Sequence, residues 1–421
     1  MPIPAKIRLA GTTAAMQAFV LICAAGTSNA QSLEVVEPDS EIINEQVDLN
    51  ADIVVESRTE AEIADAATSN ANALGNTLSV HSRDVDVGVT SDQQFGGRAS
   101  ADAQTDVNGA GIALSTSAAM ANTATVTTDT ADAGVLLRQD VTQGSEVTSR
   151  ATTTVRGGAD SAIAAAQSAA NNAGLLPGYG TTGEGTIIQS SGAESVAVGR
   201  IVGDGAAPWV SSATGLAVGN SISAGEDTTR VLLDAEQTNT GAVRGKAFID
   251  ADVANETIAA SQAAGNNIAV ENDYRYAGLN ARQDNQADVN ARSEVSLIGF
   301  NDVASVSASG VGNSTTVSNI GSSIGADIDQ TNSGRVRAVG SFDGGTGSTG
   351  LVTTTAFGNA ASAYACSDCE GAAINGSSRQ VNDGKVVSRS TASAYSGALL
   401  SSSATAVGNS ASYEVTNSRG D

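Results

Sequence analysis

Aromatic residues are only 3% of this chain, and one Trp and six Phe among 421 residues exclude a broad core filled by large rings. Any interior must be narrow and lined by small side chains. The one histidine, His81, stands outside any dense polar cluster, so neither a Ser-His-Asp triad nor a His-ligated metal is supported. No apolar run is long enough to cross a bilayer as a permanent helix. Lysine is nearly missing: after residue 30 only Lys246 and Lys385 remain. Cysteine is scarce too. Cys23 falls in the leader described next, which leaves Cys366-Ser367-Asp368-Cys369. A structural zinc needs about four ligands, so the pair Cys366 and Cys369 is expected to form a small disulfide in an oxidising compartment, with no metal and no cofactor.

Residues 1–30 are expected to be an export signal. Lys6 and Arg8 give a positive start, Ala14 to Ala25 is a short apolar run, and Ser28-Asn29-Ala30 is a small-residue cleavage site. Removing them leaves 19 basic against 45 acidic residues, a mature charge of −26. Such a surface repels phosphate backbones, so nucleic acid is not an expected partner.

What the chain does have is a period. Asn76, Asn122, Asn171, Asn220, Asn266, Asn313, Asn359 and Asn409 recur every 46 to 50 residues. Gln46, Gln93, Gln139, Gln189, Gln237, Gln283, Gln330 and Gln380 recur with the same spacing. From each Asn to the next Gln is 17 or 18 residues six times and 21 once, the longer step carrying the two cysteines. Eight copies of one unit mean a stacked array rather than two or three globular domains.

Every second residue around these amides is apolar. Leu216, Val218, Asn220 and Ile222 share one face, as do Val231, Leu233, Ala235 and Gln237, so both amides point inward on strands. A lone buried amide is costly because it has two donors and an acceptor to satisfy. Parallel stacking removes that cost, since like amides about 4.8 Å apart can bond one another. The expected fold is therefore all-β: a parallel β-solenoid (β-helix) over residues 31–421, built from about eight repeats of about 47 residues with inward Asn and Gln ladders. Two coils of about 23 residues per unit are the preferred division, giving a rod on the order of 75 Å; one long turn per unit would halve it.

The alanine-rich pieces Glu60 to Leu74 and Ala159 to Ala170 have helix propensity, but their repeat equivalents, such as Leu351-Val352-Thr353-Thr354-Thr355, are β-branched, so strand is expected throughout. Gly174 to Gly185, Gly203 to Trp209, and Phe342 to Gly350 are expected as loops or turns, with Trp209 packed in one of them. Asp250 and Asp302 are the carboxylates a polysaccharide-cleaving β-helix would need, yet the acids are scattered as on a solvated face, and no enzyme activity is expected. Arg419-Gly420-Asp421 is treated as coincidence.

The Ala-x-Gly-Asn blocks, together with Gln237-Thr238-Asn239-Thr240-Gly241 and Gln330-Thr331-Asn332-Ser333-Gly334, resemble the holdfast anchor (attachment) protein D family of stalked alphaproteobacteria. The inward Gln and Asn pattern is also similar to curlin repeats. The resemblance implies a cell-surface protein, associated with the outer membrane, that anchors an adhesive polysaccharide. It further implies companion holdfast-anchor proteins and a curli-type secretion channel, with a homo-oligomer also open. No catalytic residues carry over. Two other classes stay in view, a self-assembling amyloid-like fibre subunit and a β-helical polysaccharide lyase or hydrolase.

Overall fold

The computed structural model describes residues 39–204, 208–225, 229–367 and 371–417. The expected export signal, residues 1–30, and Arg419-Gly420-Asp421 lie outside them. Among the described residues the chain is strand without helix, in seventeen segments. They are β1 (Ser40–Ser82), β2 (Val87–Thr128), β3 (Ala133–Val141), β4 (Glu146–Val155), β5 (Ala159–Leu176), β6 (Thr182–Ser191), β7 (Glu194–Gly203) and β8 (Pro208–Ala224). There follow β9 (Arg230–Asn239), β10 (Val243–Asp273), β11 (Ala277–Asn285), β12 (Val289–Ile320), β13 (Ile324–Asn332), β14 (Val336–Ser367), β15 (Ile374–Asn382), β16 (Val386–Ser396) and β17 (Leu399–Asn417).

All seventeen belong to one sheet, and every pairing is parallel. The partner of a residue lies 46 to 50 positions away: Gln46 pairs with Gln93, Gln283 with Gln330, and Asn359 with Asn409. We call the strands of one such period a tier. The two coils of about 23 residues per unit are thus corrected, because neighbours are a full period apart. The Gln and the following Asn belong to one tier, since Gln46 Nε2 donates to the Thr77 carbonyl beside Asn76.

Helix propensity loses in both alanine-rich pieces: Glu60 to Leu74 is within β1 and Ala159 to Ala170 within β5. Neighbouring tiers supply backbone partners, on both sides of Ala159 to Ala170 and on one side of Glu60 to Leu74, and these outweigh the few tenths of a kcal/mol per residue by which alanine favours helix. For the same reason Phe342 to Gly350, expected as a turn, is continuous strand inside β14. Its glycines are required there, since a Cβ on Gly345 would stand 2.0 Å from the Ile298 carbonyl oxygen and one on Gly347 2.1 Å from that of Phe300. Around the expected Gly174 to Gly185 loop, only residues 177–181 separate β5 from β6.

Side chains alternate in and out, as the period of two requires. The interior holds three apolar clusters made mostly of Ala and Val. The largest fully buried side chains are Phe95, Phe300 and Phe342, and the last two meet edge to face with centroids 5.0 Å apart. Small residues let opposing walls come close enough for amides to reach the facing backbone.

Candidate functional site

The eight asparagines form one column. Asn76 Nδ2 donates to Asn122 Oδ1 at 2.9 Å, and the same bond repeats from Asn122 to Asn171, Asn220, Asn266, Asn313, Asn359 and Asn409 at 2.8 to 2.9 Å. Every donor points toward the C-terminal tier. From Asn76 through Asn359 the second amide proton goes to the carbonyl after the next glutamine, as from Asn122 to Asp140 and from Asn313 to Thr331.

The eight glutamines form a second column with the opposite sense. Gln93 Nε2 donates to Gln46 Oε1 at 2.7 Å, and Gln139, Gln189, Gln237, Gln283, Gln330 and Gln380 each donate to the glutamine before at 2.7 to 2.8 Å. Their second protons go to the carbonyl that follows an asparagine: Thr123, Asn172, Ser221, Asn267, Ser314, Ala360 and Ser410. Each column therefore satisfies its neighbour's backbone. Asn122 to Asn359 and Gln93 to Gln330 are essentially buried, whereas Gln46 and Gln380 in the end tiers are half-buried and Asn409 is exposed. An amide bonded on all sides in a dry interior rigidifies its surroundings and offers nothing to a ligand.

A third column was not read from the sequence. Asn239, Asn285, Asn332 and Asn382, each two residues after a column glutamine, bond Nδ2 to Oδ1 in series at 2.7 to 2.8 Å. Each also donates to a carbonyl two residues on. The signal was Gln-x-Asn in four consecutive units. This column explains the glycine before the asparagines of the first column: a Cβ on Gly219, Gly265, Gly312 or Gly358 would lie 2.2 to 2.6 Å from the Oδ1 of Asn239, Asn285, Asn332 or Asn382. In the N-terminal half that third position is Asp48, Phe95, Val141 and Ser191. Asn239 Oδ1 and Ser191 Oγ, at the junction of the two halves, are buried without a partner.

The outward groups are arranged differently. Arg150, Val198, Lys246 and Arg292 lie in one outer column, and Arg244 stands two residues before Lys246. Burial, reinforced by Arg244, Arg292 and Arg150, holds the Lys246 ammonium below its ordinary pKa. Arg244 itself pairs with Glu194 and Arg292 with Glu294. Trp209, expected as a packed turn residue, is 67% exposed on β8, where alternation turns it outward. His81 faces Asp129 at 3.8 Å, half exposed. Asp250 and Asp302 are both exposed, Asp302 at the irregularity between Phe300 and Val303. Among the described residues no group of three or more His, Cys, Asp or Glu is placed to hold a metal, and no helix is long and apolar enough to cross a membrane. Cys366 is half-buried near the end of β14; Cys369 lies outside the described residues.

The class so defined is an all-β protein of parallel strands whose buried amide side chains bond in columns. The chain belongs to the holdfast attachment protein D family, whose model matches residues 61–335, well over half of the sequence. That family has an attachment role at the cell surface, in association with holdfast components. No curated protein and no solved structure matches the chain.

Proposed function

We propose that the sheet is a parallel β-solenoid, one turn per repeat of about 47 residues, in which the Asn and Gln columns are structural ladders. On this reading eight tiers at one strand spacing each make a rod of roughly 38 Å, half the length expected from two coils per unit. Residues 1–30 are its export signal and residues 31–421 the solenoid, with Cys366 and Cys369 closing a small disulfide.

The rod is a cell-surface anchor that ties an adhesive polysaccharide to the outer envelope. It leaves the cell through a curli-type channel and works beside companion anchor proteins. The observation that carries this reading is the family match over a fold whose inward Asn and Gln columns bond one another and the backbone. Such a molecule bears load and presents a surface; it needs no turnover. The acidic surface keeps copies apart during export.

The test is deletion of the gene in a holdfast-producing host. Adhesive polysaccharide should still be made but be shed into the medium, and restoring the chain should restore retention. Retention by the deletion strain would remove the anchoring role.

A further inference from the structure

We propose that one outer wall of the sheet binds an uncharged, extended sugar chain laid across the tiers, its apolar ring faces on a column of apolar side chains and its hydroxyls on the flanking polar columns. The assignment rests on the attachment role proposed above, to which it adds a surface and a ligand class.

The wall is the stretch of strand that carries the first asparagine column. It comprises residues 68–79, 114–125, 163–174, 212–223, 258–269, 305–316, 351–362 and 401–412, which pair tier on tier. In a chain that is 16% charged, these twelve residues in each of eight tiers include no Asp, Glu, Lys, Arg or His. All 45 acidic and 21 basic residues stand elsewhere. Inward positions exclude charge on any wall. The outward ones, such as Ser212, Thr214 and Ser223, are half open to solvent, where charge is ordinarily welcome. Tier spacing does not forbid it either. On the other outer faces Arg379 reaches Asp329 one tier away at 3.1 Å, and Arg150, Lys246 and Arg292 share a column. A wall that must come into contact with an uncharged partner gains by this omission, because a charge there would lose its water without meeting a counter-charge.

The register sorts the outward side chains of this wall by kind. One column is apolar in all eight tiers, running from Leu74 and Met120 through Val218 and Val311 to Phe357 and Val407. Met120 and Val311 are closed in by their neighbours, so the column is a flush strip rather than a ridge. Beside it on one flank stand Thr123, Ser221 and Ser314, and on the other Gln167, Gln262 and Thr355. Trp209, three residues before Ser212 and 67% exposed, offers a flat ring at the margin. An apolar strip rimmed by polar groups is the pattern of a binding surface.

A pyranose ring has the matching pattern, with C–H faces and a rim of hydroxyls that both donate and accept, as Ser, Thr and Gln side chains do. A β-linked chain of such rings also advances by about the 4.8 Å of one tier per sugar. Successive sugars therefore meet the same strip and rim at successive tiers, a translational repeat that the surface of a folded protein does not have. Each contact is weak, and their number along the rod supplies the strength.

The test uses the chain as secreted, titrated calorimetrically with cellohexaose and the hexamer of N-acetylglucosamine as neutral chains and with polygalacturonate as a charged one. A neutral hexamer should bind more tightly than its dimer, with an affinity unchanged up to about 1 M salt, and polygalacturonate should not bind. Thr214→Asp and Val218→Asp should each weaken binding at least about tenfold. Leu136→Asp, at a 49% exposed position beside the glutamine column, should leave it unchanged. Should Val218→Asp lose its β-sheet circular dichroism, Thr353→Asp at an exposed position of the wall replaces it. Binding of neither neutral hexamer overturns the proposal, as does an equal loss in Leu136→Asp. In the deletion host, the Thr214→Asp chain should fail to stop shedding. Retention with that variant, where the deletion strain sheds, overturns the wall and leaves the attachment role standing; retention by the deletion strain removes the attachment role itself. Shedding by Thr214→Asp with undiminished sugar binding would give the wall to a protein partner, and overturns the sugar assignment.

Discussion

The two halves of the molecule solve one packing problem differently. Two residues beyond each column glutamine, the C-terminal half places Asn239, Asn285, Asn332 and Asn382, while the N-terminal half places Asp48, Phe95, Val141 and Ser191. Opposite Asn stands Gly; opposite Val141 and Ser191 stand Ala121 and Ala170; opposite Phe95 stands Gly75. A third polar column needs the backbone to approach within reach of a side-chain oxygen, and only glycine permits that. Opposite Val141 and Ser191 the packing tolerates a methyl group; opposite Phe95 it does not, since a Cβ on Gly75 would stand 2.7 Å from that ring. Equal tiers are thus held by unequal chemistry, and the boundary lies at Ser191 and Asn239, where a buried hydroxyl and a buried carbonyl oxygen go unpaired.

That contrast is broken most strongly by Gly265→Ala, whose new Cβ would lie 2.3 Å from Asn285 Oδ1 and 2.6 Å from the Gly312 carbonyl oxygen. A loss of about 3 kcal/mol is expected in urea unfolding, while the sister sites in the other half, Ala121 and Ala170, already carry the methyl. Next is Asn285→Val, which strands the Asn239 donor and the Asn332 acceptor and should cost about 2 kcal/mol. Joined to Gly265→Ala it recreates the Val141 and Ala121 pairing, so the double variant should lose less than the sum of the two. Strict additivity would refute the link between the glycines and the third column.

Ser191→Asn with Ala170→Gly sharpens the comparison from the other side. The introduced amide would donate to Asn239 Oδ1, and a gain of about 1 kcal/mol over Ala170→Gly alone is expected. Ser191→Asn alone should destabilise, because the Ala170 methyl occupies the space. The smallest effect concerns the outer face. Since the folded state lowers the Lys246 pKa, the charged form is penalised at neutral pH, and stability should rise with pH as that penalty is relieved below the ordinary lysine value of 10.5. Lys246→Met should flatten this slope and raise the melting temperature by about 1 °C or less.

Much of the architecture was legible because a buried amide among small residues at period two has few ways to be satisfied. Parallel stacking is the one that repeats. The third column escaped because it occupies only half of the units, where Asp48, Phe95, Val141 and Ser191 break its period. The tier length escaped for another reason: two inward amides per unit suggested two coils of about 23 residues, although the steps of 17 and 29 between them are unequal, and both amides lie in one tier and bond the backbone beside each other. Glycine runs such as Gly344-Gly345 carry a turn signal in isolation, and only neighbouring tiers reveal them as places of close strand approach. The outer cationic column around Lys246 was invisible in a chain of such negative charge, because the register alone brings Arg150, Lys246 and Arg292 together.

The opposite sense of the asparagine and glutamine columns has one further consequence. A single file of aligned carboxamides builds up an axial dipole as units are added, leaving partial charge at both tips, as in an α-helix. Two files running in contrary directions cancel that field through the N-terminal half, while the third file, which runs with the first, leaves an uncancelled remainder from Asn239 to Asn382. Another repeat of the N-terminal kind therefore accumulates no electrostatic penalty, whereas each added repeat of the C-terminal kind lengthens the unbalanced file.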